Sequence, residues 1–335
     1  MLAGVSTSTV SRALRDSPLI SAATRTRVRE AAARLDFAPS RTASALASGR
    51  LGRIGVLVSG PLSTWFNSSV LEAAYGALRD AGQELVIYRI ASVADRDEFF
   101  TSLPAKRNVD ALVVASFALD SGELARLTEL SVPVVYLNQQ VADGVCVSID
   151  DVAGAAAGAR HLINLGHRRI AYVTTRDLDG FVFSASRRIR GVRAAVAQHT
   201  DGHPDDPAED PVRIVVDAVG AGPEVGQLAV ARLLSGDALP TAVVTETDEI
   251  AMSLIPALAR AGLRVPYDIS VLGFDDNAAA PLFDLTSVAQ PVAELGRLAA
   301  RSAVDLSSAD GWSGDRFRVL PTHLVLRGST AVPRS

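Results

Sequence analysis

From Arg53 onward, short runs of β-branched and aliphatic residues alternate with longer stretches whose apolar positions recur at helical spacing. The strand-like runs fall at 54–58, 84–88, 111–115 and 134–137, separated by helical stretches at 65–81, 95–103 and 121–130. After a long helix over 151–165 the alternation restarts, with strands at 169–173, 213–216, 241–245 and 269–272 and helices at 185–199, 224–235 and 249–261. Strands of this kind joined by helices of about 10–15 residues build parallel sheets from βαβ units. Two such series predict an α/β body of two similar Rossmann-like subdomains, with a ligand between them at the carboxyl ends of the strands. A helix over 291–306 and one closing strand over 317–326 complete the body, and the Pro- and Asp-rich stretch 202–211 reads as an exposed loop.

The first 52 residues follow another pattern. Val5, Val10 and Leu14 mark one side of a helix over 6–14, Ser6 stands at its N-cap position, and Thr7, Ser8, Thr9, Ser11 and Arg12 fill the rest. A helix with an apolar back and a front of short hydroxyls and one arginine suits the reading helix of a helix-turn-helix. A second helix, capped by Ser21, runs over 22–35 with Val28, Ala32 and Leu35 on one stripe, and ends at Asp36-Phe37-Ala38-Pro39. Ser40 caps a short helix over 41–48, closed by Gly49, whose one large apolar side chain is Leu46. So little apolar surface does not support an isolated helix, so it is expected to form against DNA or a second copy of itself.

Charge sharpens the division. Residues 1–50 hold eight arginines against Asp16, Glu30 and Asp36, a balance of +5, while the whole chain carries −4, leaving −9 for the remainder. A basic head on an acidic body points to a polyanion met by the head alone, although a solvated arginine-rich face gives the same count. The longest apolar runs are far too short to cross a bilayer, and the opening Met1-Leu2-Ala3-Gly4 has neither the basic nor the apolar region of a signal peptide. Cys146 is the single cysteine, which excludes an internal disulfide and a cysteine metal cluster. A cytoplasmic location without membrane contact is expected. The five histidines have no paired-ligand spacing and no G-x-S-x-G elbow occurs, so no metal, cofactor or catalytic group is expected.

Three head motifs carry a specific likeness: Ala3-Gly4-Val5-Ser6-x-x-Thr9-Val10-Ser11-Arg12-x-Leu14, then Ser21-x-x-Thr24-Arg25-x-Arg27-Val28, then Phe37-x-Pro39-x-Arg41-x-Ala43-x-x-Leu46. The body adds Leu165-Gly166-His167-Arg168-Arg169-Ile170-Ala171, Ser186-x-Arg188-x-x-Gly191 and Ser270-Val271-Leu272-Gly273-Phe274-Asp275-Asp276. With these motifs the chain resembles, along essentially its whole length, the lactose/galactose-repressor (LacI/GalR) family of transcriptional regulators. The resemblance implies a helix-turn-helix head over 1–38, a hinge helix and linker over 39–52, and an effector-binding and dimerisation domain over 53–330. Within that domain it implies two subdomains of the periplasmic-binding-protein type I kind, an N-subdomain of about 53–166 and 290–313 and a C-subdomain of about 167–289 and 314–330.

It further implies that Thr7, Ser8 and Arg12 read bases, arginine pairing bidentately with guanine. Ser6, Thr9, Ser11, Arg15, Ser21 and Thr24 would bond phosphates, a role compatible with helix capping at Ser6 and Ser21. Ser40 opens the hinge helix, and Leu46 is the apolar wedge that enters a minor-groove step beside its dimer twin. In the cleft the matching positions are Ser59, Ser63, Trp65, Phe66, Asn138, Arg188, Thr247 and Asp275, an arginine and a carboxylate suiting vicinal hydroxyls and an aromatic ring suiting a sugar face. Taken singly, Asp275-Asp276 also reads as a loop cap and Trp65-Phe66 as core. The implied partners are a pseudo-palindromic double-stranded operator, a carbohydrate effector and a second copy of the chain. The alternative is a sugar-binding protein with impaired DNA binding.

Three features depart from the family pattern. Thr247 stands where an asparagine is more usual, and Ala221 where some sugar-binding members carry a tryptophan. The family also has a further helix beneath the reading helix, before the point where this chain begins, so weak operator binding is expected of this chain and strong binding of an N-terminally extended one. Separately, Gly220-x-Gly222-x-x-x-Gly226 after a strand, with Glu246 ending the next, imitates a dinucleotide fingerprint; its place deep in the second subdomain argues for ordinary loops.

Overall fold

The computed structural model describes residues 3–14, 17–35, 50–115, 118–176, 185–202, 212–219, 223–308, 312 and 314–334. They form two compact units, Met1–Gly52 and Arg53–Ser335. In the first, α1 (Thr7–Leu14) and α2 (Ala22–Arg34) pack through Ala13 and Val28, both buried. Each helix starts on a serine. The Ser6 hydroxyl accepts from the Thr9 N–H at 3.2 Å, and that of Ser21 from the Thr24 N–H at 3.3 Å, each satisfying a donor that the first helical turn leaves over.

The second unit holds two six-stranded sheets. The strands of the first are β1 (Arg53–Ser59), β2 (Glu84–Ile90), β3 (Ala111–Ala115), β4 (Val134–Leu137), β5 (Val145–Ile149) and, from the far end of the chain, β11 (Phe317–Leu320), in the order β11-β5-β4-β3-β1-β2. The second comprises β6 (Ile170–Arg176), β7 (Val212–Val219), β8 (Ala242–Thr245), β9 (Ser270–Asp275), β10 (Thr286–Ala289) and β12 (His323–Val325), in the order β12-β10-β9-β8-β6-β7. Pairing is parallel throughout except between β10 and β12. Near-continuous burial along β1, β3, β5, β8 and β9 follows, because helices cover both faces of a parallel sheet.

Helices α3 (Trp65–Asp80) and α10 (Val292–Leu306) pack together on one face of the first sheet; α4 (Val93–Ser102) and α5 (Ser121–Thr128) cover the other. On the second sheet, α6 (Asp151–Asn164) packs with α7 (Ala185–Gly202), and α8 (Pro223–Leu234) with α9 (Asp248–Arg260). No helix among the described residues is long and apolar enough to cross a membrane.

Several expected boundaries are corrected. The chain leaves the first sheet directly after β5, since α6 lies on α7 and the second sheet; the expected boundary at 166/167 is one helix too late. The closing strand expected over 317–326 is two strands in two sheets. Pro321, which has no N–H to give a ladder, interrupts the run; β11 pairs with β5, so the boundary expected at 313/314 is displaced as well. Two strands escaped the hydrophobic pattern. β5, Val-Cys-Val-Ser-Ile, is a short run interrupted by a serine, and β10, Thr-Ser-Val-Ala, buries hydroxyls that find partners: Thr286 on the Arg327 carbonyl at 2.9 Å, Ser287 on Asp248 at 2.7 Å.

Candidate functional site

The body converges on a buried ion cluster at the carboxyl ends of the second sheet. Asp275 ends β9 at φ 130°, followed by Asp276 at φ 55°, a left-handed pair that L-residues seldom adopt and that tertiary contacts must hold. Arg188, from the first turns of α7, donates to Asp151 Oδ1 at 2.9 Å, to the Glu246 carbonyl at 2.6 Å and to Asp275 Oδ1 at 3.4 Å. Its guanidinium lies 3.7 Å from the centroid of the Phe274 ring. Gln290 donates from Nε2 to Asp275 Oδ1 at 2.6 Å. Arg188 and Asp275 are both at least 95% buried, at 4% exposure each. Burial opposes the Arg188 charge, yet the Asp151 and Asp275 carboxylates hold its pKa above the ordinary arginine value. Burial likewise pushes the Asp275 carboxyl well above its ordinary range, with Arg188 pulling against it. Tyr172 Oη, Asp151 Oδ2 and Gln290 Oε1 are buried with no hydrogen-bond partner among the described residues. Buried polar atoms are ordinarily hydrogen-bonded, so these mark a place where a further polar group completes the bonding.

The first turn of α9 braces this cluster. Thr247 caps the helix, its hydroxyl accepting from the Ile250 N–H at 3.4 Å; the oxygen expected to face a ligand is used in capping. Asp248, fully buried, accepts from the Asn277 N–H at 2.7 Å and the Ser287 hydroxyl at 2.7 Å, and so pins the turn after Asp275 to β10. Burial raises its pKa to about 7 against those two bonds. Arg327 ties Asp276 from the other side at 2.7 Å.

The remaining expected cleft residues are spread out. Ser59 is buried at the end of β1, Ser63 is exposed, and Trp65 and Phe66 are half-buried at the start of α3, packed on the core. The Trp65 N–H donates to Glu249 Oε1 at 3.2 Å. Asn138 follows β4 at φ 57° and lines a cavity of about 840 Å³ between α5, the 139–144 loop, Ser186 and Arg187. Arg188 and Asp275 are thus brought together, whereas the cavity that Asn138 lines is bordered by Ser186 and Arg187 and not by that pair. Sequence reasoning missed Asp151, Phe274 and Gln290 as members of the cluster. Asp151 read only as the start of a helix, and Gln290 follows a strand that the hydrophobic pattern did not reveal.

The dinucleotide-like spacing has a packing cause at its last glycine. A Cβ on Gly226 would lie 2.1 Å from the Ser253 carbonyl oxygen, so the close approach of α8 and α9 at this point requires a glycine; residues 220–222 lie outside the described ones. Glu246, cast in that pattern as a ribose acid, accepts instead from the Thr174 hydroxyl at 2.6 Å and the Thr175 N–H at 3.2 Å.

Residues 159–330 match the periplasmic binding protein-like domain, and residues 1–40 match the lacI family of bacterial regulatory proteins. The chain belongs to the LacI/GalR family. Among its relatives, the regulator GalR of Salmonella typhimurium is 30% identical over 99% of this chain and 94% of its own length. DegA of Bacillus subtilis is 29% identical over 98% and 96%. Of solved structures, the Lac repressor dimer bound to operator and the anti-inducer ONPF is 26% identical with a TM-score of 0.81, covering 98% of this chain and 97% of that one. The CelR–cellobiose complex is 27% identical with a TM-score of 0.68, covering the same shares.

In the head of this LacI/GalR-family chain, Thr7, Ser8 and Arg12 are exposed on α1. The Ser6 hydroxyl lies 2.8 Å from that of Ser8 and 2.9 Å from that of Thr9, and Ser21 donates to the Thr24 hydroxyl at 2.9 Å, so four of the expected phosphate ligands also cap helices or bond to a cap. Arg15, Ser40, Leu46 and the side chain of Ser11 lie outside the described residues.

Proposed function

We propose that the chain is a ligand-responsive transcriptional repressor of the cytoplasm. A homodimer presents two heads to a pseudo-palindromic operator, Thr7, Ser8 and Arg12 meeting bases and the neighbouring hydroxyls meeting phosphates. A carbohydrate held between the subdomains, on Arg188, Asp275 and the polar atoms around them, changes the preferred arrangement of the body and with it DNA affinity. The observation that carries this reading is its coverage: the likeness to an operator-bound repressor extends over 98% of the chain, head and body alike. Buried carboxylate and guanidinium groups at the strand ends supply the charge-assisted bonds that sugar hydroxyls require.

The test is selection of random duplexes by the full chain, followed by titration of the selected DNA complex with neutral sugars, cellobiose and ribose among them. The expected result is an enriched inverted repeat whose affinity changes with one sugar, and a response lost in Asp275→Ala while DNA binding persists. A pool left unenriched even at low salt, where weak operator binding is strengthened, or an unchanged sugar response in that variant, overturns the reading.

A further inference from the structure

Helix α3 has an incomplete start. The first turn of any helix leaves N–H groups without intrahelical partners, and a side chain at the N-cap usually takes one. Thr64 holds the N-cap position with suitable backbone angles, φ −61° and ψ 144°, but makes no capping bond; its hydroxyl turns back to the Pro61 carbonyl at 3.2 Å. The Trp65 N–H instead donates to Glu249, 184 residues away on α9. Because α3 packs with the first sheet and α9 with the second, this bond crosses from one subdomain to the other.

We propose that Glu249 is a positioning residue that caps α3 across the cleft and so couples the placement of Trp65 to the separation of the subdomains. A carboxylate suits this place, since the helix N-terminus carries partial positive charge. Its own base is rigid: Thr247 caps α9, Asp248 is tied to Asn277 and Ser287, and Glu249 comes next. A bond of 3.2 Å between elements of two sheets breaks on a small change in their separation. Opening the cleft therefore frees the first turn of α3, and closing it returns Trp65 to a fixed place. The functional consequence, that a ligand in the cleft acts on this bond, rests on the reading of the cleft as the effector site; the cap itself does not.

The chain has two tryptophans, Trp65 and Trp312, so Trp312→Phe leaves Trp65 as the sole indole reporter. In that background, acrylamide quenching of the full chain without sugar is compared for the parent, Glu249→Ala and Glu249→Gln. Losing a helix cap shifts an opening equilibrium by about fivefold. The alanine variant should therefore show a clearly raised quenching constant with a red-shifted emission maximum. The glutamine variant keeps an acceptor oxygen and should return most of the way to the parent. Quenching unchanged in the alanine variant overturns the proposal, as does an equal rise in both variants. No sugar is needed, so normal quenching changes with no sugar response would fault the proposed function, and a sugar response with unchanged quenching would fault the cap.

Discussion

Arg188 is the residue whose loss tests the cluster most directly. Its guanidinium serves Asp151, Asp275 and the Glu246 carbonyl and covers the Phe274 ring, all out of solvent. Arg188→Met keeps most of the packing volume but leaves two buried carboxylates without their counter-charge, Asp275 keeping only the Gln290 amide as donor, and the Glu246 carbonyl without the guanidinium. Removing one partner of a buried pair costs roughly 3–5 kcal/mol, most of it the desolvation of the charge left behind. For a domain of this size that corresponds to a fall in Tm on the order of 10 °C. Burial already holds the Asp275 carboxyl well above its ordinary range against the pull of Arg188, so without Arg188 it takes up a proton more readily still. The deficit should therefore be smaller near pH 5 than near pH 8. Both tryptophans lie beyond residue 52, so fluorescence-detected melting follows the body alone. Adding Asp275→Asn removes one orphaned charge, and the double variant should be more stable than the arginine variant by about 1 kcal/mol or more. A single variant melting within roughly 2 °C of the parent at pH 8, or a strictly additive double variant, would refute the reasoning.

Two further outcomes are expected. Arg12→Ala should reduce discrimination between selected operator and scrambled duplex by about 1–3 kcal/mol, measured by competition at fixed salt; an unchanged preference removes Arg12 from base reading. Asp248→Asn tests the raised carboxyl behind the cleft: its pKa is about 7 in the fold, so between the unfolded value near 4 and that point the folded state holds a proton the unfolded chain has lost. Body stability should fall with rising pH across that window, by up to about 1.4 kcal/mol per unit, and the asparagine variant should flatten the slope.

The strands that sequence pattern revealed are those rich in Val and Ile, such as β1 and β3, because a parallel sheet buried on both faces selects such runs. β10 was hidden for the converse reason. Its Thr286 and Ser287 look like turn residues until Asp248 and the Arg327 carbonyl are known to face them, and no local pattern reports a partner some 40 positions away. Periodicity also does not say which sheet a helix or strand joins, so the placing of α6 came only from its packing and the splitting of 317–326 only from strand pairing. At the cleft, Arg188 and Asp275 stood in motifs; Asp151 and Gln290, which bond to them, stood in none.

The positions of those two missed residues suggest why the cluster is built as it is. The chain passes between the two sheets three times: between β5 and α6, between β10 and α10, and between β11 and β12. Asp151 is two residues beyond the end of β5 at the first passage, and Gln290 directly follows β10 at the second. Thr322 lies in the third, where a Cβ on Gly154 of α6 would meet its hydroxyl at 2.8 Å and the Phe274 ring at 3.4 Å. The first two connections thus reach the Arg188–Asp275 pair, and Thr322 of the third shares with the Phe274 ring the space beside Gly154. A rotation of one subdomain against the other would bend the chain at these segments, beside the donor of Asp275 and the acceptor of Arg188. A buried pair with strained backbone at Asp275 and Asp276 does not absorb such a shift gradually. The polar network proposed to bind hydroxyls thus sits beside the segments that join the subdomains, which is the placing that the proposed ligand response requires.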